Sequence, residues 1–294
     1  MIEAIASPYL VPFAQEKLPK GLSTSPPDDA PGRKGCKKRL AKEVARLDEW
    51  QRRLYAEDRR SLLVVFQAMD AAGKDSTIRA VMSGVDPSGC QVSSFKQPSS
   101  LELDHDFLWR TGLRLPERGR IGIFNRSHYE ETLVVRVHPE FLESQRLALP
   151  ENLDELWAQR YASIRHYEHH LARNGTVIVK FWLNVSKSEQ RRRFLSRLDE
   201  AHKHWKFSIK DVEERQHWER YMAAYQDMLT ATSKPWAPWY AIPADNKPYM
   251  RWQVARIIRK TLQAMRPDYP QVAAEDLSRF EAMRAQLEQE PKQG

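Results

Sequence analysis

Residues 62 to 77 read LLVVFQAMDAAGKDST, a run suited to a buried strand, then a small-residue turn, then Gly73-Lys74 where a helix can begin. This is the shape of a phosphate-binding loop, in which backbone N–H groups and the positive end of the following helix surround phosphate oxygens and the lysine adds a full charge. The pattern G-x-x-x-x-G-K-[ST] is met at two of its four fixed positions, because Ala68 replaces the first glycine and Asp75 the hydroxyl residue. Asp70 is the odd member. A carboxylate inside an anion-binding loop repels phosphate unless a cation lies between them, so its presence points to a metal. The plain alternative is an ordinary core strand followed by a helix whose first turn is favoured by Asp75 and Ser76.

At 294 residues, 41% hydrophobic and 29% charged, the chain can bury a full core. Its apolar runs fall short of the ~20 residues needed to span a bilayer, and MIEAIASPYLVPF has no basic flank ahead of an apolar stretch, so a cytoplasmic location is expected. Cys36 and Cys90 are too few for a disulfide framework and have no metal-spaced partner, and both are expected as reduced thiols. The formal net charge of +8 favours an anionic partner: nucleic acid, a membrane surface, or a phosphorylated molecule or polymer. One basic concentration lies at RKGCKKRLAK and a second runs through Lys187, Arg191, Arg192, Arg193, Arg197, Lys203, Lys206 and Lys210. The first reads as a solvated helix face.

Residues 21–32, GLSTSPPDDAPG, read as a loop or mobile linker, and residues 1–36 as an N-terminal extension. From Lys37 to Tyr55, Leu40, Val44, Leu47, Trp50 and Leu54 recur at helical spacing and lead into LLVVF. Further strands are expected at QVSSF from Gln91, IGIFN ending at Asn125, TVIVKFW from Thr176 and WYAIP from Trp239, with helical patterns between most of them. That alternation implies a mainly parallel sheet covered on both faces, an α/β fold of the three-layer α/β/α sandwich type. Ligands collect beyond the carboxyl ends of such strands, where Asp70, Lys74, Asn125 and Arg126 would converge. Residues 199–231 begin as a basic-aromatic loop and continue as a helix with Val212, Trp218, Tyr221, Tyr225 and Met228 on one apolar face; Asp211 and Arg215, one turn apart, can pair. This segment is expected to form a lid, the alternative being a surface hairpin with its aromatics in the core. Residues 37–265 thus form the main domain, and 266–294 a last helix with a frayed tail.

Three segments can be read together: QAMDAAGKDSTI at 67–78, IFNRSHYEETLVVRVH at 123–138 and HWKFSIKDVEERQHWERY at 204–221, with a fourth, TSKPWAPWYAIPADNKPYMRW, at 232–252. In this order they resemble family 2 polyphosphate kinases, P-loop kinase-type enzymes that move phosphoryl groups between inorganic polyphosphate and nucleotides. The resemblance covers roughly 37–265. It implies Mg²⁺ held by Asp70, directly or through water, with Asn125 and Glu131 bearing on the same metal. It implies Asp70, Lys74, Arg126 and Arg215 as the catalytic set, with Ala71, Ala72, Gly73, Asp75, Ser76, Asn125, His128, Glu130, Lys203, Lys206 and Asp211 around phosphate and nucleotide.

Two positions depart from the family pattern. Asn125 stands, uncharged, where relatives often carry aspartate, and Glu131 replaces an aspartate expected in close relatives; for Glu130 and Glu131 the alternative is a pair of helix-start carboxylates. Ser127-His128-Tyr129-Glu130 resembles the class III subgroup, associated with phosphorylating nucleoside mono- and diphosphates, whereas other subgroups tend to read Ser-Trp-Tyr-Asn. The implied activity is reversible transfer of polyphosphate's terminal phosphoryl group to AMP and ADP, with no nucleic-acid or membrane partner and with assembly as a homodimer or homotetramer. The rival readings are an ATP-dependent nucleoside monophosphate kinase and a non-catalytic binder of nucleic acid.

Overall fold

Seven consecutive buried residues, Ser61–Gln67, form β1, and a strand buried along its whole length has to lie inside a sheet covered on both faces. In the computed structural model, which describes residues 2–13 and 22–290, β1 is the central strand. The others are β2 (Cys90–Ser94), β3 (Ile121–Asn125), β4 (Thr176–Asn184) and β5 (Trp239–Pro243). Their order across the sheet is β2-β3-β1-β4-β5, and every pairing is parallel. The register sets Phe66 beside Asn125 and Phe181, so the carboxyl ends of β1, β3 and β4 open on one rim.

Helix α1 (Arg33–Glu57) packs along a later helix, α6 (Lys247–Met265), and both contact α2 (Lys74–Met82). On the opposite side α3 (Leu153–Arg173) packs against β4 and α5 (Trp218–Thr232), while α4 (Lys187–Asp199) lies at the rim after β4. A last helix, α7 (Ala274–Gln289), has no buried residue. Side-chain caps mark three of the helix starts: Asn152 accepts from Asp154 N at 2.9 Å, Ser186 from Glu189 N at 3.1 Å and Asn246 from Tyr249 N at 3.1 Å.

The expected strands stand at their expected places. Three features differ. The N-terminal extension does not stand apart from the domain, because residues 9–11 run antiparallel along β5: Val11 N donates to Trp239 O and Ala241 N donates to Tyr9 O, each at 2.9 Å. An uncovered sheet edge is a row of unmet hydrogen-bonding groups, and this segment meets part of it. The loop expected at 21–32 is pinned rather than mobile from Leu22 onward, with Asn184 Nδ2 donating to Leu22 O at 2.8 Å and Asp245 N to Thr24 O at 2.9 Å. Gly21 and the end of the tail, 291–294, lie outside the described residues.

The third difference is the lid. The single apolar face expected over 199–231 is broken into a 3-10 turn at Ala201–Lys206, a short helix at Ile209–Glu213, a 3-10 turn at Glu214–His217, and then α5. Trp218, Tyr221, Tyr225 and Met228 are core residues, while Val212 is exposed. The large aromatics draw α5 into the core, so a lid can comprise only the charged stretch ahead of it.

Candidate active site

The loop after β1 turns within six residues, and two of them, Ala71 at φ 58° and Gly73 at φ 105°, occupy the left-handed region. Glycine takes such a conformation without penalty, whereas alanine costs energy and has to be held there by its surroundings. Ala68 has no positive φ and is buried in the core. The missing first glycine is therefore tolerated, since the turn makes its left-handed bends later. What holds Ala71 comes from α4. Arg193 Nη1 donates to Ala71 O at 3.0 Å and Ala72 O at 2.6 Å, its Nη2 donates to Ala244 O at 2.6 Å, and Gln190 Nε2 donates to Asp70 O at 2.9 Å.

Helix α2 starts at Lys74, whose ammonium folds back to donate to Ala68 O at 2.9 Å. Burial, helped by the charge of Arg126, lowers the Lys74 pKa, with Asp70 opposing. Arg126 follows β3 at φ 65° and donates through Nη2 to Asp70 Oδ1 at 2.9 Å. Its Nη1 lies 3.8 Å from the mostly buried carboxylate of Glu130. Glu130 and then Asp70 hold the guanidinium firmly protonated against its burial, while burial raises the pKa of Glu130 in spite of Arg126 and Lys74. Asn125 Nδ2 donates to Asp75 Oδ1 at 2.6 Å. The uncharged amide at 125 therefore ties the end of β3 to the start of α2, a bond that an aspartate could not donate.

These groups open onto a cavity of about 690 Å³ lined by Asp70 to Ser76, Ser94 to Lys96, Asn125 and Arg126, parts of α4 and the turn after it, and Lys247. Nine of its lining residues are cationic and three are carboxylates, the balance of a surface for a polyanion. Lys203 and Lys206 both face it, the first bonded to Glu200 and to Ser196 Oγ at 3.1 Å. Among described residues no group of three or more His, Cys, Asp or Glu side chains is arranged to hold a metal. Of the three carboxylates, Asp70 is half-exposed, follows β1 and keeps one oxygen free of Arg126, so it is open to a cation there.

Several expected site residues are placed elsewhere. Glu131 does not reach the cavity, which corrects its assignment to the metal. It is buried, its Oε2 accepting from Arg160 Nη1 at 3.1 Å and from Gln145 Nε2 at 2.7 Å, because the 3-10 turn His128–Thr132 points consecutive carboxylates in different directions. His128 is likewise corrected from a nucleotide contact to a core residue, its ring tilted against that of Tyr129 with centroids 4.7 Å apart. Burial lowers its pKa, and its Nε2 is 3.8 Å from Glu168. The pairing of Asp211 with Arg215 does not form, since the helix breaks between them: Asp211 Oδ2 accepts from Arg197 Nη1 at 3.3 Å, and Arg215 Nη1 donates to Gln190 Oε1 at 2.5 Å and Lys187 O at 3.1 Å. Neither lines the cavity. Of the arginine run on α4, Arg193 is 5% exposed and structural, while Arg192 is 68% exposed and faces the cavity.

Sequence reasoning passed over Lys96 and Lys247, and left Arg197 without a role. Lys96 lies just beyond the QVSSF strand and Lys247 opens the helix after WYAIP, so the strand-end rule applied to β1 and β3 would have found both. Burial, with Arg193 and Arg251 nearby, pushes the Lys247 pKa down to about 8.

The family model "Polyphosphate kinase 2 (PPK2)" matches residues 32–270. The chain is 53% identical to an ADP-polyphosphate phosphotransferase of Rhodopseudomonas palustris, over 84% of this chain and 86% of that one. It is 45% identical to an AMP/ADP-polyphosphate phosphotransferase of Meiothermus ruber, over 83% and 89%. A crystal structure of polyphosphate kinase 2 from Arthrobacter aurescens TC1 superposes with a TM-score of 0.84 at 36% identity, covering 97% of this chain and all of the other.

Proposed function

Since the chain belongs to the polyphosphate kinase 2 family, we propose that it transfers the terminal phosphoryl group of inorganic polyphosphate to AMP and ADP, and that it does so reversibly. The observation that carries this reading is the cavity itself: Lys74 at a helix start, Arg126 opposite, and a strong excess of cations continuing along α4. A polyphosphate chain carries about one negative charge per unit, and such a surface neutralises several units together. The two relatives are named for this reaction, one with ADP and one with both nucleotides.

In-line transfer makes a bond from the nucleotide's terminal phosphate oxygen to the end phosphorus of the polymer and breaks the bond from that phosphorus to the next unit. The protein's part is to align the two oxygens and neutralise charge on the phosphoryl group in flight. Lys74 and the amides at the start of α2 bind the phosphates, and Arg126, steadied by Asp70 and Glu130, clamps oxygens with its planar fork. The charged segment ahead of α5, carrying Lys203, Lys206, Asp211 and Arg215, closes to exclude water, which would otherwise take the phosphoryl group.

Magnesium fits this donor set. Three carboxylates that do not cluster, amid nine cations, make a poor all-protein cage, and Asp70 is a good anchor for an ion that keeps waters and takes its other ligands from phosphates. Bound there by Asp70, it would screen the phosphate charges and polarise the transferring group. The proposal includes a cytoplasmic homo-oligomer; among described residues no helix is long and apolar enough to cross a membrane.

Purified protein given polyphosphate, Mg²⁺ and AMP or ADP without ATP should form ADP or ATP. Absence of product from either nucleotide would sink the reading, and product only when ATP is the donor would make the chain an ordinary nucleotide kinase. Asp70→Asn should lower turnover roughly a hundredfold in limiting Mg²⁺; near-normal turnover there would remove Asp70 from the metal.

A further inference from the structure

Arg126 is held with a left-handed backbone at φ 65°, and no glycine relieves it. Such a residue keeps its conformation only where the surroundings over-determine it. The turn that follows is fastened from behind at two points, both on α3. Tyr129, fully buried, donates its hydroxyl to Glu168 Oε1 at 2.7 Å and accepts from Lys180 Nζ at 2.7 Å. Lys180, in the middle of β4, also donates to Glu168 Oε2 at 2.5 Å and to the carbonyl of Thr232, the last residue of α5, at 3.0 Å. Eight residues before Glu168 on α3, Arg160 grips Glu131 Oε2 at 3.1 Å and Glu131 O at 2.8 Å. Between these fastenings sits Glu130, whose mostly buried carboxylate lies 3.8 Å from Arg126 Nη1.

None of this network touches the cavity, and burying two ion pairs is an expensive way to fill space, since well-packed apolar residues commonly stabilise as much. What hydrogen-bonded ions supply instead is a single orientation. We propose that Tyr129 and Glu131, fastened by the Lys180–Glu168 pair and by Arg160, are positioning residues that aim Arg126 at the transferring phosphoryl group. The inference rests on the proposed function, in which Arg126 is the phosphate clamp. It gives Glu131 a role away from any metal, and it makes the Lys180 ammonium a hub shared by the clamp turn and the core helix that follows the lid segment.

The test is a double-mutant cycle in polyphosphate-dependent phosphorylation of ADP. Tyr129→Phe, which keeps the ring and removes the hydroxyl, should lower kcat roughly tenfold while nucleotide KM stays within about twofold, a misaiming effect. In an Arg126→Lys background, itself impaired, the same change should cost less than about twofold, because the group it aims is gone. Glu131→Gln, run through the same cycle, should behave alike and serves if Tyr129→Phe folds poorly. Losses that multiply across the cycle, or a folded Tyr129→Phe protein with unchanged kcat, overturn the positioning role and leave the proposed function standing. Wild-type protein unable to use polyphosphate sinks the function whatever the cycle shows.

Discussion

Lys247 enters the cavity half-buried, with Arg193 and Arg251 nearby, and its pKa of about 8 lies within reach of ordinary assay conditions. Below that value the ammonium is charged and attracts the polymer; as pH rises through about 8 it loses the proton and the attraction. The kcat/KM for polyphosphate reports the free enzyme, so it should fall on the alkaline side of about 8. Lys247→Arg keeps its charge throughout that range and should flatten this limb. A pH profile identical in the two proteins would place the alkaline loss on another group. Lys74, whose pKa is also lowered, is the natural alternative.

At the scale of elements, α4 performs two tasks with adjacent side chains. Arg193 hydrogen-bonds carbonyls of the phosphate loop and of the segment after β5, while Arg192 pairs with Glu189 in the open. Arg193→Ala would leave several buried carbonyls without a donor and should cost about 3 kcal/mol, or roughly 5–10 °C in Tm. Arg192→Ala should leave Tm nearly unchanged and raise KM for polyphosphate. Calorimetric melts with parallel kinetics would show the division, and equal stability of the two variants would contradict it. Arg215 reaches the loop only through Gln190, which donates in turn to Asp70 O. Arg215→Ala should therefore depress turnover more than nucleotide binding, as removal of a lid contact would; equal loss in both would mark a purely structural residue.

For the whole molecule, the exposed edge of β5 is covered by the chain's own beginning. Val11 is buried, and Tyr240 hydroxyl donates to Ile5 O at 2.9 Å. Deleting residues 2–13 would bare that edge, so the truncated protein should melt several degrees lower and aggregate on heating, as seen by light scattering. Unchanged melting would mean that the segment is a passenger. At the other end, α7 presents Leu277, Phe280, Met283 and Leu287 to solvent.

The sheet, its strand limits and the turn between β1 and α2 were legible in the chain because they rest on local physics: β-branched apolar runs, helical spacing, and a turn of small residues before Gly73-Lys74. Asp70, Lys74 and Arg126 follow from the same reasoning, since a parallel sheet delivers its strand ends to one rim. Which side chains reach that rim was decided by tertiary structure. Glu130 and Glu131 are neighbours of equal charge, yet one steadies Arg126 and the other is taken by Arg160 from a helix about thirty residues away. Arg192 and Arg193 divide between cavity-facing surface and loop support in the same way, and the Asn125 amide donates to Asp75, fifty residues earlier. A side chain's direction at a helix end depends on partners that sequence spacing does not reveal, and those partners meet only when the layers pack.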